Sequence, residues 1–292
     1  MFEALTSAVR AGGGEVVPVE DASALIWADP AAADAFPGVV AAAPELEWVQ
    51  LPYAGIENFA DQLDPKLLWT CGKGVYADPV AEHVIALTLA GFRDIHTAAR
   101  ATSWPAQEGK NLLGAKVTII GGGGITESLL TLLEPWKTET TVVRRSSTPV
   151  AGATRTITSD RMFEALPDAD VVVLAAAVTE ETTGMVNADF LAEMNSEAWL
   201  VNVGRGALVV TNDLVEALRS NAIAGAALDV TDPEPLPDGH PLWTEPRCII
   251  TPHVGNTPEM GLPLLARRVH ENVELWLADG DLIGQVDVRA GY

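Results

Sequence analysis

Three polar residues stand in short turns rich in glycine and proline: Arg205 in Asn202-Val203-Gly204-Arg205-Gly206, Glu234 in Asp232-Pro233-Glu234-Pro235, and His253 in Thr251-Pro252-His253-Val254-Gly255. Taken singly, each has an ordinary explanation: a surface arginine, a solvated loop acid, a histidine that packs or caps. Taken together they fit one chemistry. A guanidinium can grip a carboxylate through two hydrogen bonds, an imidazole can give a proton to a carbonyl oxygen, and an acid beside the imidazole orients it and keeps it protonated. Hydride transfer to a 2-oxo acid requires all three. The neighbouring carboxylate is expected to raise the histidine's pKa, so that reduction is favoured near neutral pH and oxidation at higher pH.

A second group of residues has the chemistry of a nucleotide cradle. The strand-like run Lys116–Ile120 leads into Gly121-Gly122-Gly123-Gly124-Ile125-Thr126 and then into a helical stretch, Glu127–Leu133. In that context Gly121 permits a tight turn and Gly123 lets the backbone approach a pyrophosphate. The helix start around Gly124 and Ile125 supplies free N–H groups and a positive dipole end. A plain flexible glycine turn is the alternative. The next strand-like run ends in Arg144-Arg145-Ser146, where an NAD site would place an acid for the ribose hydroxyls. Two guanidinium groups suit a 2′-phosphate, so NADP(H) is expected in preference to NAD(H), with NAD(H) still possible. A solvated basic pair is the alternative there.

These residues need a scaffold that collects them on one edge. Short β-branched runs alternate with amphipathic stretches along the chain, the pattern of parallel strands with crossover helices, so the class is α/β. In the first part the pattern predicts a helix at Phe2–Ala11, strands near Glu15–Val19, Ala24–Ala28, Trp48–Leu51 and Leu68–Cys71, and a long helix from Asp78 to about Arg100. Beyond it, strands are predicted at Lys116–Gly121, Thr140–Arg145, Thr154–Thr158, Asp170–Ala176, Trp199–Val203, Ala224–Val230 and Cys248–Thr251. Most are continuous apolar runs, as strands buried on both faces should be. Ser159-Asp160 and Thr211-Asn212 read as helix caps, and a last helix is expected at Pro258–Leu277. Parallel strands put their carboxyl ends on one edge, so Arg205, Asp229, Glu234 and His253 would converge near the glycine loop.

Forty Asp and Glu against 18 Lys and Arg give a net charge of −22, a field that repels phosphate backbones and anionic lipid surfaces. Nucleic acid and membrane are therefore not expected as partners, and a small anionic substrate would need locally placed arginines or helix N-termini. Cys71 and Cys248 are far apart and in no metal-ligand spacing, which points away from a disulfide framework or zinc site. No apolar run reaches the roughly 20 residues of a membrane span, and no secretory leader is visible, so a cytoplasmic location is expected.

At the level of motifs, the chain from about Trp48 onward resembles the D-isomer-specific 2-hydroxyacid dehydrogenase family. The resemblance is carried by Trp48-Val49-Gln50 through Ala54-Gly55-Ile56, Val80-Ala81-Glu82, Leu112-Leu113-Gly114 through Gly124, and Thr179-Glu180-Glu181-Thr182. Most specific are Leu200 through Ala207, Ala226 through Val230 with Glu234-Pro235-Leu236, and Thr251 through Gly255. It implies that Arg205 binds substrate, His253 is the acid/base, Glu234 supports His253, Asp229 contacts the nicotinamide end, and backbone N–H groups around Ala54 and Gly55 meet the substrate carboxylate. It also implies a Rossmann-type, doubly wound nucleotide domain at 91–259 and a smaller flavodoxin-like α/β lid from 1–90 and 260–292. Members are usually homodimers through the nucleotide domains. Glyoxylate or hydroxypyruvate is the expected substrate; a nucleotide-sensing, corepressor-like protein without significant turnover is the rival reading. Departures from the family pattern are Thr126 for the third glycine, Arg144 where an acid is common, Ala176-Ala177 where a proline is usual, and an opening in the lid's first helix without the strand that normally precedes it. Glu234 argues against the formate dehydrogenases of this fold, which carry glutamine there.

Overall fold

Val171-Val172-Val173-Leu174 is apolar at every position, and all four side chains are buried, because the strand they form is covered on both faces. Alternate residues enter different layers: Val172 and Leu174 pack with Phe190, Leu200 and Leu218 on one side, Val171 and Val173 with Leu87, Leu129 and Trp199 on the other. The computed structural model describes residues 1–288; the end of the expected 260–292 segment, residues 289–292, lies outside it. In chain order its elements are α1 (Phe2–Ala11), β1 (Ala24–Ile26), α2 (Phe36–Ala41), β2 (Trp48–Gln50), β3 (Leu68–Thr70), α3 (Ala77–Phe92), α4 (Ile95–Ala98) and β4 (Lys116–Ile120). There follow α5 (Gly124–Leu133), β5 (Glu139–Arg144), β6 (Arg155–Thr158), β7 (Val171–Leu174), α6 (Ala188–Glu193), β8 (Trp199–Asn202), α7 (Thr211–Arg219), β9 (Gly225–Leu228), β10 (Cys248–Ile250) and α8 (Pro258–Leu277).

The chain divides into two units, Met1–Tyr76 with Thr257–Tyr292, and Ala77–Asn256. The central unit holds a seven-stranded sheet in the order β10-β9-β8-β7-β4-β5-β6, with every neighbouring pair parallel. The chain winds from β4 outward in one direction through β5 and β6, then in the other through β7 to β10. The crevice between β4 and β7 is therefore a topological switch point, and the glycine loop after β4 opens there. Helix α3 belongs to this unit and packs on α5, β8 and β9. Its Gly91 lies so close to Trp199 that a Cβ would fall 2.5 Å from the ring, and a Cβ on Gly225 of β9 would fall 2.6 Å from the same ring. The outer unit has three parallel strands in the order β1-β2-β3, with α1 packed on α8 and apolar clusters on both sheet faces.

Several expectations need correction. No strand forms at Glu15–Val19: the stretch is irregular and ends in a short helical turn, Val19–Asp21. Val16 and Val17 are both exposed there, and Pro18 lacks an N–H for a ladder, so the β-branched pair has no face to bury. The long helix stops at Phe92, because Asp94 turns left-handed (φ 49°), and resumes only as α4. The Thr211-Asn212 and Ser159-Asp160 signals do not cap: the N-cap positions are held by Val210 and Thr158, neither making a capping hydrogen bond through its side chain. Helix α6 is not among the expected elements; Asn187 caps it, its Oδ1 accepting from the Phe190 N–H at 3.1 Å.

Candidate functional site

Strand β10 ends at Ile250, and three residues on the backbone turns left-handed at His253, with φ 53°. For a residue with a Cβ this conformation costs on the order of 1–3 kcal/mol and persists only where its surroundings over-determine it. Asp229, at the end of β9, does so. Its carbonyl oxygen accepts the His253 N–H (2.9 Å), while its carboxylate accepts the Val254 N–H at Oδ1 and the Gly255 N–H at Oδ2, each at 2.9 Å. The Thr251 hydroxyl also donates to Oδ1, at 2.5 Å, and His83 Nε2 from α3 lies 3.3 Å from it. Burial raises the Asp229 pKa, but the hydrogen bonds from His83, Thr251, Val254 and Gly255 outweigh it and hold the group ionised, with a pKa of about 2. A Cβ at Gly255 would come 3.0 Å from Asp229 Oδ2, so the turn is built for glycine at that position.

The turn presents the His253 imidazole with half of its surface open, and Nδ1 pairs with Glu234 Oε1 at 2.7 Å. A carboxylate can only accept, so Nδ1 carries the proton of this bond and Nε2 faces away from it. Glu234 is held in place by its loop: the Thr211 hydroxyl donates to the Asp232 carbonyl at 2.6 Å and the Thr231 hydroxyl to the Pro233 carbonyl at 2.9 Å. Both proline bonds, Asp232-Pro233 and Glu234-Pro235, are cis.

Arg205 lies on the loop after β8, the strand on the far side of β9 from β10. Asn202, fully buried, shapes that loop with its amide, donating to the Arg205 carbonyl at 2.9 Å and accepting the Gly204 N–H at 3.1 Å. Gly206 then presses against the loop after β9, where a Cβ would meet the Thr231 carbonyl oxygen at 1.9 Å. The two loops that carry Arg205 and Glu234 are thus in backbone contact. The Arg205 guanidinium is half-buried and donates to the Gly204 carbonyl at 2.9 Å.

On the same edge, Gly121 has φ 119° and no room for a Cβ, which would stand 2.4 Å from the Ala175 carbonyl oxygen. Gly123 faces open space and forms the N-cap of α5 without a side-chain cap. Backbone bare of side chain, at the start of a ten-residue helix beginning Gly124-Ile125, fits a pyrophosphate. Thr126 does not disturb the loop: it is fully buried, and its hydroxyl reaches back to the Gly121 carbonyl at 2.9 Å. The Arg144 side chain crosses Gly122, where a Cβ would lie 3.1 Å from its Cδ and Nε, while Arg145 and Ser146 are exposed beyond it.

In the outer unit, Ala54 and Gly55 follow β2 in a loop fastened by neighbours: the Tyr76 hydroxyl donates to the Pro52 carbonyl at 2.6 Å and the Gly72 N–H to the Tyr53 carbonyl at 2.9 Å. Ala54 is exposed and Gly55 half-buried.

Residues 83–255, which contain the glycine loop and all three polar residues of the sheet edge, match the family described as D-isomer specific 2-hydroxyacid dehydrogenase, NAD binding domain. The chain belongs to this family. Its members are NAD(P)-dependent oxidoreductases, and the nucleotide-binding fold of the central unit is theirs. An uncharacterised protein of Corynebacterium melassecola is 41% identical over all of this chain and 97% of its own. The human glyoxylate reductase/hydroxypyruvate reductase is 35% identical over 62% of this chain; the match spans 58% of the human protein's length. Among solved structures, the D-isomer specific 2-hydroxyacid dehydrogenase from Xanthobacter autotrophicus Py2, in complex with NADPH and MES, superposes with a TM-score of 0.85 at 27% identity, covering 100% of this chain and 96% of that one.

For this 2-hydroxyacid dehydrogenase the structure joins Glu234 to His253 directly and Gly122 to Arg144 across two strands, and sets Arg205 on a loop that touches the loop of Glu234. Asp229 anchors the His253 turn, its carboxylate engaged by backbone N–H groups and the residue only 4% exposed. No site role for His83, Asn202, Thr211 or Thr251 is evident in the sequence. A signal existed for Asn202, an amide inside an otherwise apolar strand, since such a group needs partners when buried.

Proposed function

We propose that the protein reduces small 2-oxo acids to D-2-hydroxy acids, glyoxylate or hydroxypyruvate first among them, with NADPH preferred to NADH. The observation that carries this reading is the 2.7 Å pair of His253 and Glu234 beside the loop of Arg205, on the sheet edge where the glycine loop opens. Arg205 holds the substrate carboxylate through its guanidinium fork, aided by backbone N–H groups around Ala54 and Gly55. Glu234 accepts a hydrogen bond from the Nδ1–H of His253, which stabilises the imidazolium and aims Nε2 at the substrate carbonyl oxygen. His253 gives that oxygen a proton from Nε2 during reduction and takes it back in the reverse direction. The nucleotide, when bound, supplies the hydride. Gly121, Gly123, Gly124 and Ile125 hold its pyrophosphate, and Arg144, Arg145 and Ser146 meet the 2′-phosphate, two cations and a hydroxyl where an NAD-specific site would put an acid. Asp229 acts in this scheme by holding the His253 turn.

The names of the human relative and of the NADPH complex support the substrate class and the cofactor. The outer unit acts as the lid, close to the 1–90 and 260–292 division drawn from sequence, and the central unit as the nucleotide domain. A homodimer forms through the central unit, where Ile95, Trp104 and Leu113 offer exposed apolar surface; light scattering tests it. The cytoplasm is the proposed location. No described helix is long and apolar enough to cross a membrane.

Oxidation of NADPH and NADH, followed in parallel with glyoxylate, hydroxypyruvate, pyruvate and longer 2-oxo acids, tests the whole reading. Turnover with a short 2-oxo acid, faster with NADPH at equal concentration, is expected. Absence of turnover with both nucleotides would overturn it in favour of a nucleotide-sensing role.

A further inference from the structure

Behind the His253 turn stands a histidine of α3. His83 projects from α3, between the buried Ala81 and Val84, and its Nε2 lies 3.1 Å from the Thr251 hydroxyl and 3.3 Å from Asp229 Oδ1. The hydrogens of this cluster can be assigned. Asp229 is an ionised carboxylate and offers only lone pairs, so the 2.5 Å contact from Thr251 consumes that residue's single hydroxyl hydrogen. The Thr251 oxygen then has only lone pairs left for His83, and Nε2 of His83 must carry the hydrogen. The imidazole of His83 is therefore a donor into the Thr251–Asp229 pair, whether it is neutral or charged. Its ring also backs the turn itself: a Cβ on Gly255 would lie 3.6 Å from His83 Cδ2 and 3.6 Å from Val80 Cγ2.

We propose that His83 is a positioning residue for His253: by donating from Nε2 to Thr251 and Asp229 it locks the carboxylate that pins the left-handed turn at residues 253–255, and so sets the aim of the His253 imidazole from helix α3. Asp229 has to satisfy Val254 and Gly255 with two oxygens in a fixed orientation, and a carboxylate with a free χ2 torsion does not keep one. Thr251 and His83 fix that torsion. Because α3 is packed against α5, β8 and β9, the turn is referenced to the core of the central unit and not merely to the strand end from which it springs. The inference rests on His253 being the proton donor of the reaction proposed above, but its structural half can be read without turnover.

Two variants and two measurements test it. His83→Leu removes the donor, and His83→Gln retains an N–H at nearly the reach of Nε2. Amide hydrogen exchange at Val254 and Gly255 is expected to quicken at least tenfold in His83→Leu and to return to within about threefold of the parent in His83→Gln. Turnover is expected to follow, kcat falling about tenfold in His83→Leu with the KM for nucleotide unchanged, and recovering in His83→Gln. Unchanged exchange at both amides in His83→Leu would overturn the proposal, as would equal loss of kcat in the two variants. If the parent protein proves inactive while His83→Leu still loosens the two amides, the anchoring role stands and the proposed reaction is what fails. Should His83→Leu not fold, the rescue variant alone decides, since parent-like exchange and kcat are expected there and a tenfold change in either refutes the donor assignment.

Discussion

Replacing Asp229 by Asn changes one oxygen to an NH2 group at a place where only acceptors fit. In the better orientation the amide oxygen keeps Thr251 and Val254, and the new NH2 faces the Gly255 N–H across a gap that is now a 2.9 Å hydrogen bond. One charge-assisted bond is lost, about 1.5–3 kcal/mol, and a buried donor is left without an acceptor, about 1–3 kcal/mol. The left-handed turn at His253 then relaxes, which returns part of that sum, so a net loss of about 3 kcal/mol is expected at pH 7. The carboxylate carries a second signature. Its pKa falls from 3.8 to about 2 in the folded chain, so its contribution is complete above pH 4 and is lost as the pH drops through 2. At roughly 1.4 kcal/mol per pH unit the gap amounts to about 2 kcal/mol. Urea unfolding followed by tryptophan fluorescence, at pH 7 and at steps between pH 5 and 2, measures both. The parent should lose about 2 kcal/mol more than Asp229→Asn over the acid range. A variant within about 1 kcal/mol of the parent at pH 7, with the same acid slope, would refute the assignment of Asp229 as the anchor.

Changing Arg144 and Arg145 together to Ala should raise the KM for NADPH at least tenfold while leaving that for NADH within about twofold, as steady-state kinetics with each nucleotide would reveal. Glu234→Gln should lower kcat by about one to two orders of magnitude with little change in nucleotide KM, because an amide cannot stabilise an imidazolium at 2.7 Å as a carboxylate does. Gly91→Ala, favourable by about 1 kcal/mol in an open helix, should instead destabilise by about 1–3 kcal/mol in urea titration, since its Cβ would enter the Trp199 ring. Thr126→Val keeps the shape but strands the Gly121 carbonyl, and is expected to cost about 1 kcal/mol of stability and to raise the nucleotide KM.

What could be read in the sequence was what depends on local pattern. The run Val171–Leu174 declares a strand covered on both faces, and Lys116–Thr126 declares a strand, turn and helix start, since each is determined within about ten residues. The pairing of Glu234 with His253 was readable because the two turns end neighbouring stretches of the sheet edge. Where meaning depends on distant partners, pattern misled or fell silent. Val16 and Val17 look like strand residues, but no neighbour covers them. His83 sits in an apolar helix with nothing nearby in sequence to reveal that its partners are Asp229 and Thr251, far along the chain. Asp229 stands out at the end of an apolar strand, but its hold on the His253 turn was not legible, because a carboxylate at a strand end has the same letter whatever its partners.

The connectivity of the outer unit has a consequence for how the protein is made. Helix α1 packs on α8, and Thr70 at the end of β3 bridges to Gln285, so the first and last parts of the chain build one body around separate sheet and helix partners. On the ribosome α1 and the three short strands emerge long before α8 exists. The central unit is a single uninterrupted stretch and can fold as it appears, whereas the segment synthesised first must wait, with apolar residues such as Leu5 and Trp48 lacking their final cover. Synthesis order and completion order are therefore reversed for the outer unit, and its early segment is the part of the nascent chain with most to gain from a chaperone.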